Sequence, residues 1–139
     1  MERLQVLIVE DELMIAMDVE GALIEAGYDV AGIAASQVEA LGLAQTTHPD
    51  CAVVDVSLRP GDGRIVARAF AQQGIAVLFA TGQCQDVKEL ADTGALGCLP
   101  KPYSADDVPA ALQAICERRL GHKPGRLPDS MFLLNTRLT

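Results

Sequence analysis

Four short stretches of the sequence carry side chains that could do chemistry together. Glu10-Asp11-Glu12 follows an apolar run at 4–9, and Asp55 ends the apolar run 51–54. Thr81-Gly82 closes a third run at 75–80, and Lys101 stands between Pro100 and Pro102. Taken singly, each has an ordinary explanation. Acids before a helix suit its dipole, and an Asp after a strand begins a turn. Brought to one place, they form a different object. Clustered carboxylates raise one another's pKa unless a cation neutralises them. A hard divalent ion does so, and Mg²⁺ fits best because it keeps several waters and takes few protein ligands. Thr81 and Lys101 add what a phosphoryl group needs: a hydroxyl donor for one oxygen and a cation for another.

What must position them is a set of buried strands. Residues 4–9 and 28–34, then 51–54, 75–79 and 97–99, read as five strands, the second more polar and nearer an edge. Short runs that are apolar on both sides are typical of a parallel sheet covered on both faces. Between them lie helical patterns. The first buries Ile15, Val19, Ala22, Leu23 and Ala26 and stops at Gly27. The second starts at a Ser36/Glu39 capping box and turns Val38, Leu41 and Ala44 inward. The third begins near Asp62 or Gly63, buries Ile65, Val66, Ala69 and Phe70, and closes at Gly74. A short polar fourth helix spans about 86–93. The last is capped by Ser104, faces Val108, Leu112 and Ile115 inward, and ends at Gly121. Strictly alternating strands and helices predict a doubly wound α/β sandwich with right-handed crossovers. Ligands bind such sheets beyond the carboxyl ends of the strands, which is where all four stretches fall.

Composition narrows the rest. A chain of 139 residues is one domain's worth. Half the residues are hydrophobic, yet no apolar run reaches membrane-spanning length, so no membrane insertion is expected. The N-terminus lacks signal-peptide character, and the expected location is cytoplasmic. A formal net charge of −8 argues against a nucleic-acid partner. Cys51, Cys84, Cys98 and Cys116 show neither metal-ligand spacing nor a C-x-x-C pair and read as buried thiols. His48, beside Pro49 in a loop, reads as a surface residue.

On these residues the chain resembles a response-regulator receiver domain (CheY-like) of bacterial two-component signalling, over about residues 4–119. The resemblance implies a flavodoxin-like (βα)5 fold with a five-stranded parallel sheet in order 2-1-3-4-5. It makes residues 1–120 the receiver and 121–139 a tail without an output domain. Asp55 falls at the phosphoacceptor position, Thr81 at the switch Ser/Thr and Lys101-Pro102 at the Lys-Pro motif, where a cis peptide is usual. By the same resemblance, Asp11, Asp55 and the backbone carbonyl of Ser57 bind Mg²⁺ directly, with Glu10 acting through water. The implied partners are a sensor histidine kinase or a histidine phosphotransfer protein, and an unknown downstream protein. The expected state is a monomer or weak dimer. The chain would catalyse only its own phosphorylation and dephosphorylation, and would not be an enzyme on other substrates.

Three departures stand out. The family's switch aromatic lies three residues before the lysine, where this chain has Cys98. The segment Phe79-Ala80-Thr81-Gly82 resembles a receiver subgroup lacking that aromatic. The proline of the loop after Asp55 sits one place late, behind Arg59. Without a ring, the signal is expected in the loop 80–85 and the short fourth helix. Ser57 and Gln83, two residues beyond the acceptor and the switch, are not carboxylates, which predicts slow or moderate self-dephosphorylation. An aspartyl-phosphate phosphatase is the enzyme alternative, but it needs an acid two residues after the nucleophile, where Ser57 stands. A pseudo-receiver binding without phosphorylation is the other, and the full set of site residues argues against it. The apolar residues 131–134 either fray or dock.

Overall fold

Apart from Gln5 at the start of β1 (Gln5–Val9) and Thr81 at the end of β4 (Ala76–Thr81), the residues of β1, β3 (Cys51–Val54) and β4 are apolar and buried, leaving no polar face for solvent. Such segments are stable only in the middle of a covered sheet. The computed structural model describes residues 3–82, 84, 86–119, 127–128 and 131–134, and places them there. The sheet runs β2-β1-β3-β4-β5-β6, with β2 (Asp29–Ala34) half-buried at one edge and β5 (Gly97–Pro100) beyond β4. Alternate strand residues feed two cores, as the pleat requires. Val6, Ile8, Val53 and Leu78 pack with Val19 and Leu23 of α1 (Leu13–Glu25) and Leu112 and Ile115 of α5 (Asp107–Arg119). Leu7, Val9, Val54, Val77 and Phe79 pack with Ala40 and Ala44 of α2 (Gln37–Thr47) and Val66 and Phe70 of α3 (Gly63–Gln72).

The capping box at α2 forms as expected. The Ser36 hydroxyl accepts the Glu39 N–H at 3.2 Å, and the Glu39 carboxylate accepts the Ala35 N–H at 3.2 Å. Ser104 accepts the Asp106 N–H at 3.3 Å ahead of α5, while Gly121 lies outside the described residues.

Several expectations need correction. Among the described residues the sheet has six strands, because β6 (Phe132–Leu133) adds antiparallel to β5, pairing Leu133 with Gly97 and Phe132 with Cys98. The tail segment therefore docks, with Met131 and Leu134 buried. Helix phases also differ from expectation at single residues. Val38 is 82% exposed because α2 buries Ala40 and Ala44 instead, and Ile65 is exposed because α3 buries Gly63, Val66, Ala67 and Phe70. In α1, Ala26 is exposed and Ala16 takes an inner position. The fourth helix, α4 (Val87–Ala91), is shorter than 86–93. The cysteines are not four buried thiols: Cys84 and Cys98 form a disulfide with Cα atoms 6.3 Å apart, Cys51 is a buried thiol, and Cys116 is half-buried. A separation of 14 residues gives no pairing signal in sequence; the contact is tertiary, between Cys84 beyond β4 and Cys98 in β5.

Candidate functional site

Parallel register carries the ends of the strands to one rim. Val9 pairs with Val54, Val54 with Phe79, and Thr81 with Pro100. The residues just beyond therefore emerge together. The Asp55 N–H donates to the Val9 carbonyl at 3.0 Å, and the Lys101 N–H to the Thr81 carbonyl at 2.9 Å. Side chains at these positions are aimed by the sheet itself rather than by a loop.

Glu10 and Asp55 are each only 5% exposed, and Asp11 is half-buried. A carboxylate oxygen from each of the three lies within 4.8 Å of the others. The Lys101 ammonium donates to Asp55 Oδ2 at 3.0 Å and to Glu10 Oε1 at 3.2 Å. Asp55 Oδ1 accepts the Ser57 N–H at 2.9 Å, Glu10 Oε2 accepts the Glu12 N–H at 3.1 Å, and Asp11 Oδ2 accepts the Arg59 N–H at 3.1 Å. No acid lies in the first turn of α1; Glu12 is its N-cap residue, and Glu10 and Asp11 are bonded within the site.

One ammonium does not balance two buried carboxylates and the half-buried Asp11 beside them. Burial, followed by the Asp55 charge, pushes the Glu10 carboxyl up to about 7, against the Glu12 N–H and Lys101, which pull it down. Burial by itself would lower the Lys101 ammonium, but its hydrogen bond to Asp55 and the charges of Asp55 and Glu10 outweigh this and raise it. The site thus holds its lysine charged and has room for further positive charge. A hard oxygen donor set with an excess of negative charge fits Mg²⁺.

Thr81 is fully buried at the end of β4 and joins the site through its backbone link to Lys101. Ser57 enters through its N–H. The peptide before Pro102 is cis, as the resemblance implied, and so is that before Pro60. Gln83 lies outside the described residues, so its place beside the attacking water does too.

Three features escaped sequence reasoning. The late proline places Arg59 so that its backbone N–H holds Asp11. Gly63 abuts the Asp55 carbonyl so closely that any Cβ there would collide with it. A glycine at the first position of a helix, directly after the loop, was the available signal. Beside Lys101, a cleft of about 440 Å³ opens between α1 and the segment after β5, lined by Ile15, Val19, Pro102 and Tyr103. Burial pushes the Tyr103 hydroxyl up to about 12.

Comparison with known proteins decides the family. The profile of the response regulator receiver domain matches residues 6–113, most of the chain. The chain belongs to the response regulator receiver family. Among curated relatives, the transcriptional regulatory protein PdtaR of Mycobacterium tuberculosis is 38% identical over 117 residues, covering 82% of this chain and 57% of the relative. The response regulator MprA of Mycobacterium sp. (strain KMS) is 32% identical over 139 residues, covering 97% and 59%. The chain thus spans less than two thirds of the length of these relatives. Among solved structures, the receiver domain of a modulated diguanylate cyclase from Desulfovibrio desulfuricans G20 matches with TM-score 0.77 at 28% identity, covering 86% of this chain and 98% of that one. The chemotaxis response regulator CheY4 of Vibrio cholerae matches at 0.74 and 29%, covering 82% and 99%. Receivers generally carry Mg²⁺ at an acidic site, and in this receiver Glu10, Asp11 and Asp55 form a group able to hold one. Membership places the chain in two-component signalling. Among the described residues, no helix is long and apolar enough to cross a membrane.

Proposed function

We propose that this receiver takes a phosphoryl group from a phosphohistidine of a sensor kinase or a phosphotransfer protein onto Asp55, and signals by contact with another protein. The observation that carries this reading is the Lys101 ammonium bridging Asp55 and Glu10 at the rim, with Asp11 beside them. An Asp55 oxygen attacks phosphorus and the phosphorus–nitrogen bond breaks, leaving the electron pair on the imidazole. Lys101 stays protonated and offsets the charge gained at Asp55. The Thr81 hydroxyl donates to a phosphoryl oxygen. Glu10, Asp11, Asp55 and the Ser57 carbonyl would hold Mg²⁺, which supplies neutralisation of the phosphoryl oxygens. Ser57 is no general base for water, so the acyl phosphate decays slowly or moderately.

The chain acts on no other substrate in this reading, and its setting is the cytoplasm, where such donors are found. The Phe79-Ala80-Thr81-Gly82 segment and Cys98 support a reading of it as a receiver that lacks the switch aromatic. The test is phosphorylation with a small phosphoramidate and Mg²⁺. Wild type gains a base- and hydroxylamine-labile phosphate and Asp55→Asn gains none. Undiminished labelling of Asp55→Asn overturns the assignment.

A further inference from the structure

The Cys84–Cys98 pair spans the two strands that carry the site. Cys84 lies three residues after Thr81, and Cys98 three residues before Lys101. Thr81 pairs with Pro100, and its carbonyl accepts the Lys101 N–H at 2.9 Å. The same carbonyl lies 3.8 Å from the Cys84 sulfur, within reach of a thiol S–H in the reduced form. Cys98 occupies the place of the family's mobile ring. Where an aromatic would touch the loop after β4, this chain bonds to it.

We propose that Cys84 and Cys98 are a reversible thiol–disulfide pair, a redox modification site that locks the segment after Thr81 to β5. Other features set this pair apart from a static cross-link. Both are buried, but Cys84 is 8% exposed against 1% for Cys98, so Cys84 is the more accessible residue of the pair. The remaining cysteines cannot exchange with them: Cys51 and Cys116 belong to the core on the other face of the sheet. A disulfide in a protein of a reducing compartment is most often transient or redox-sensing. The oxidant is a hydroperoxide. The Cys84 thiolate attacks its outer oxygen, forming a sulfenic acid and releasing water or an alcohol. The Cys98 thiol then displaces water from that sulfur. Two thiols lose two electrons and two protons, and the peroxide oxygen–oxygen bond is reduced. A dithiol reverses this by attack on the Cys84 sulfur and resolution of the mixed disulfide.

The consequence for signalling rests on the phosphoacceptor reading. The pull of a phosphoryl group on Thr81 moves the following loop only when the bond is open, so the oxidised receiver is phosphorylated but mute.

Two measurements decide it. Reduced wild type is treated with stoichiometric hydrogen peroxide, quenched in denaturant and alkylated. Cys84 and Cys98 become protected and Cys51 and Cys116 stay labelled, and a dithiol restores all four. Backbone hydrogen exchange over 80–94 is then severalfold slower in the oxidised protein than in the reduced one, with no peroxide effect in C84S/C98S. Equal exchange in both redox states, or protection of another pair, overturns the proposal without any variant having to fold. The signalling arm adds beryllofluoride and Mg²⁺. Reduced wild type and C84S/C98S respond over 80–94 and oxidised wild type does not; an equal response in all three overturns the lock. If none responds and Asp55 takes no phosphate, the phosphoacceptor reading fails, and the alkylation and exchange results without beryllofluoride still decide the pair.

Discussion

Glu10 is held in a place that disfavours its own charge. Its carboxyl is raised to about 7 from an ordinary 4.5, first by burial. A carboxyl whose pKa is higher in the folded state binds its proton more tightly there than when unfolded. Its contribution to apo stability is therefore greatest below about 4.5 and is lost as pH rises through about 7. Mg²⁺ competes with that proton, so its affinity should climb with pH up to about 7 and level off above. Titration calorimetry in buffers of differing ionisation heat should show a proton released on Mg²⁺ binding at pH 6, and almost none in Glu10→Gln. Equal release by both proteins would remove Glu10 from the account. Gly63 offers a steric test on the other side of Asp55. A Cβ there meets the Asp55 carbonyl and the Val56 backbone, neither of which can swing away. Gly63→Ala should cost about 1–3 kcal/mol, as overpacking does, and should slow phosphorylation by displacing Asp55. A denaturation midpoint matching wild type would show that the loop yields freely.

At the scale of elements, the parts of the fold written in continuous local patterns were legible and those made by tertiary contact were not. β1, β3 and β4 announce themselves as unbroken apolar runs, and Ser36 with Glu39 announces α2. The convergence of Glu10, Asp55 and Lys101 follows from parallel strands in register, so the site was readable once the strands were. β6 is two residues long, and a strand that short has no period to detect. Its evidence is burial: Leu134 is 2% exposed, whereas Phe132, two residues earlier, is 47% exposed. Leu134→Ala should destabilise the fold by about 2–5 kcal/mol as a large-to-small core change. Phe132→Ala should stay within about 0.5 kcal/mol. Matching urea midpoints for Leu134→Ala and wild type would argue that the tail leaves the sheet in solution. The disulfide closes a loop of 14-residue separation. Chain-entropy arguments give about 3 kcal/mol for a loop near 15 residues. Unfolding with and without reductant should differ by that order in wild type, and not at all in C84S/C98S.

Across the whole molecule, polar and apolar surfaces are distributed unequally around the rim. The chain carries a formal charge of −8, yet the helix that starts beside Glu10 and Asp11 turns apolar side chains outward: Leu13 is 64% exposed, Met14 75%, Met17 52% and Ile24 52%. These positions recur at helical spacing along one side of α1, away from the core residues Ala16, Val19 and Leu23. Leu13, Met14 and Met17 lie within little more than one turn of each other, and clustered exposed apolar side chains mark a docking site more often than scattered ones do. Methionine suits such a surface because its flexible chain adapts to a partner. The stripe ends at the acidic rim, and the cleft lined by Ile15, Tyr103 and Pro102 opens beside Lys101. A protein that delivers a phosphoryl group to Asp55 must approach over this rim, whereas a small donor needs no surface beyond the site. The two routes can therefore be separated. Met14→Glu combined with Met17→Glu should slow phosphotransfer from a phosphohistidine protein by about tenfold or more, the loss expected when about 1.4 kcal/mol of docking is removed. Labelling by phosphoramidate should be unchanged, because no carboxylate, lysine or threonine of the site is altered. If both donors slow equally, the substitutions have disturbed α1 and the rim itself. If neither slows, the donor docks elsewhere and the apolar stripe serves another contact.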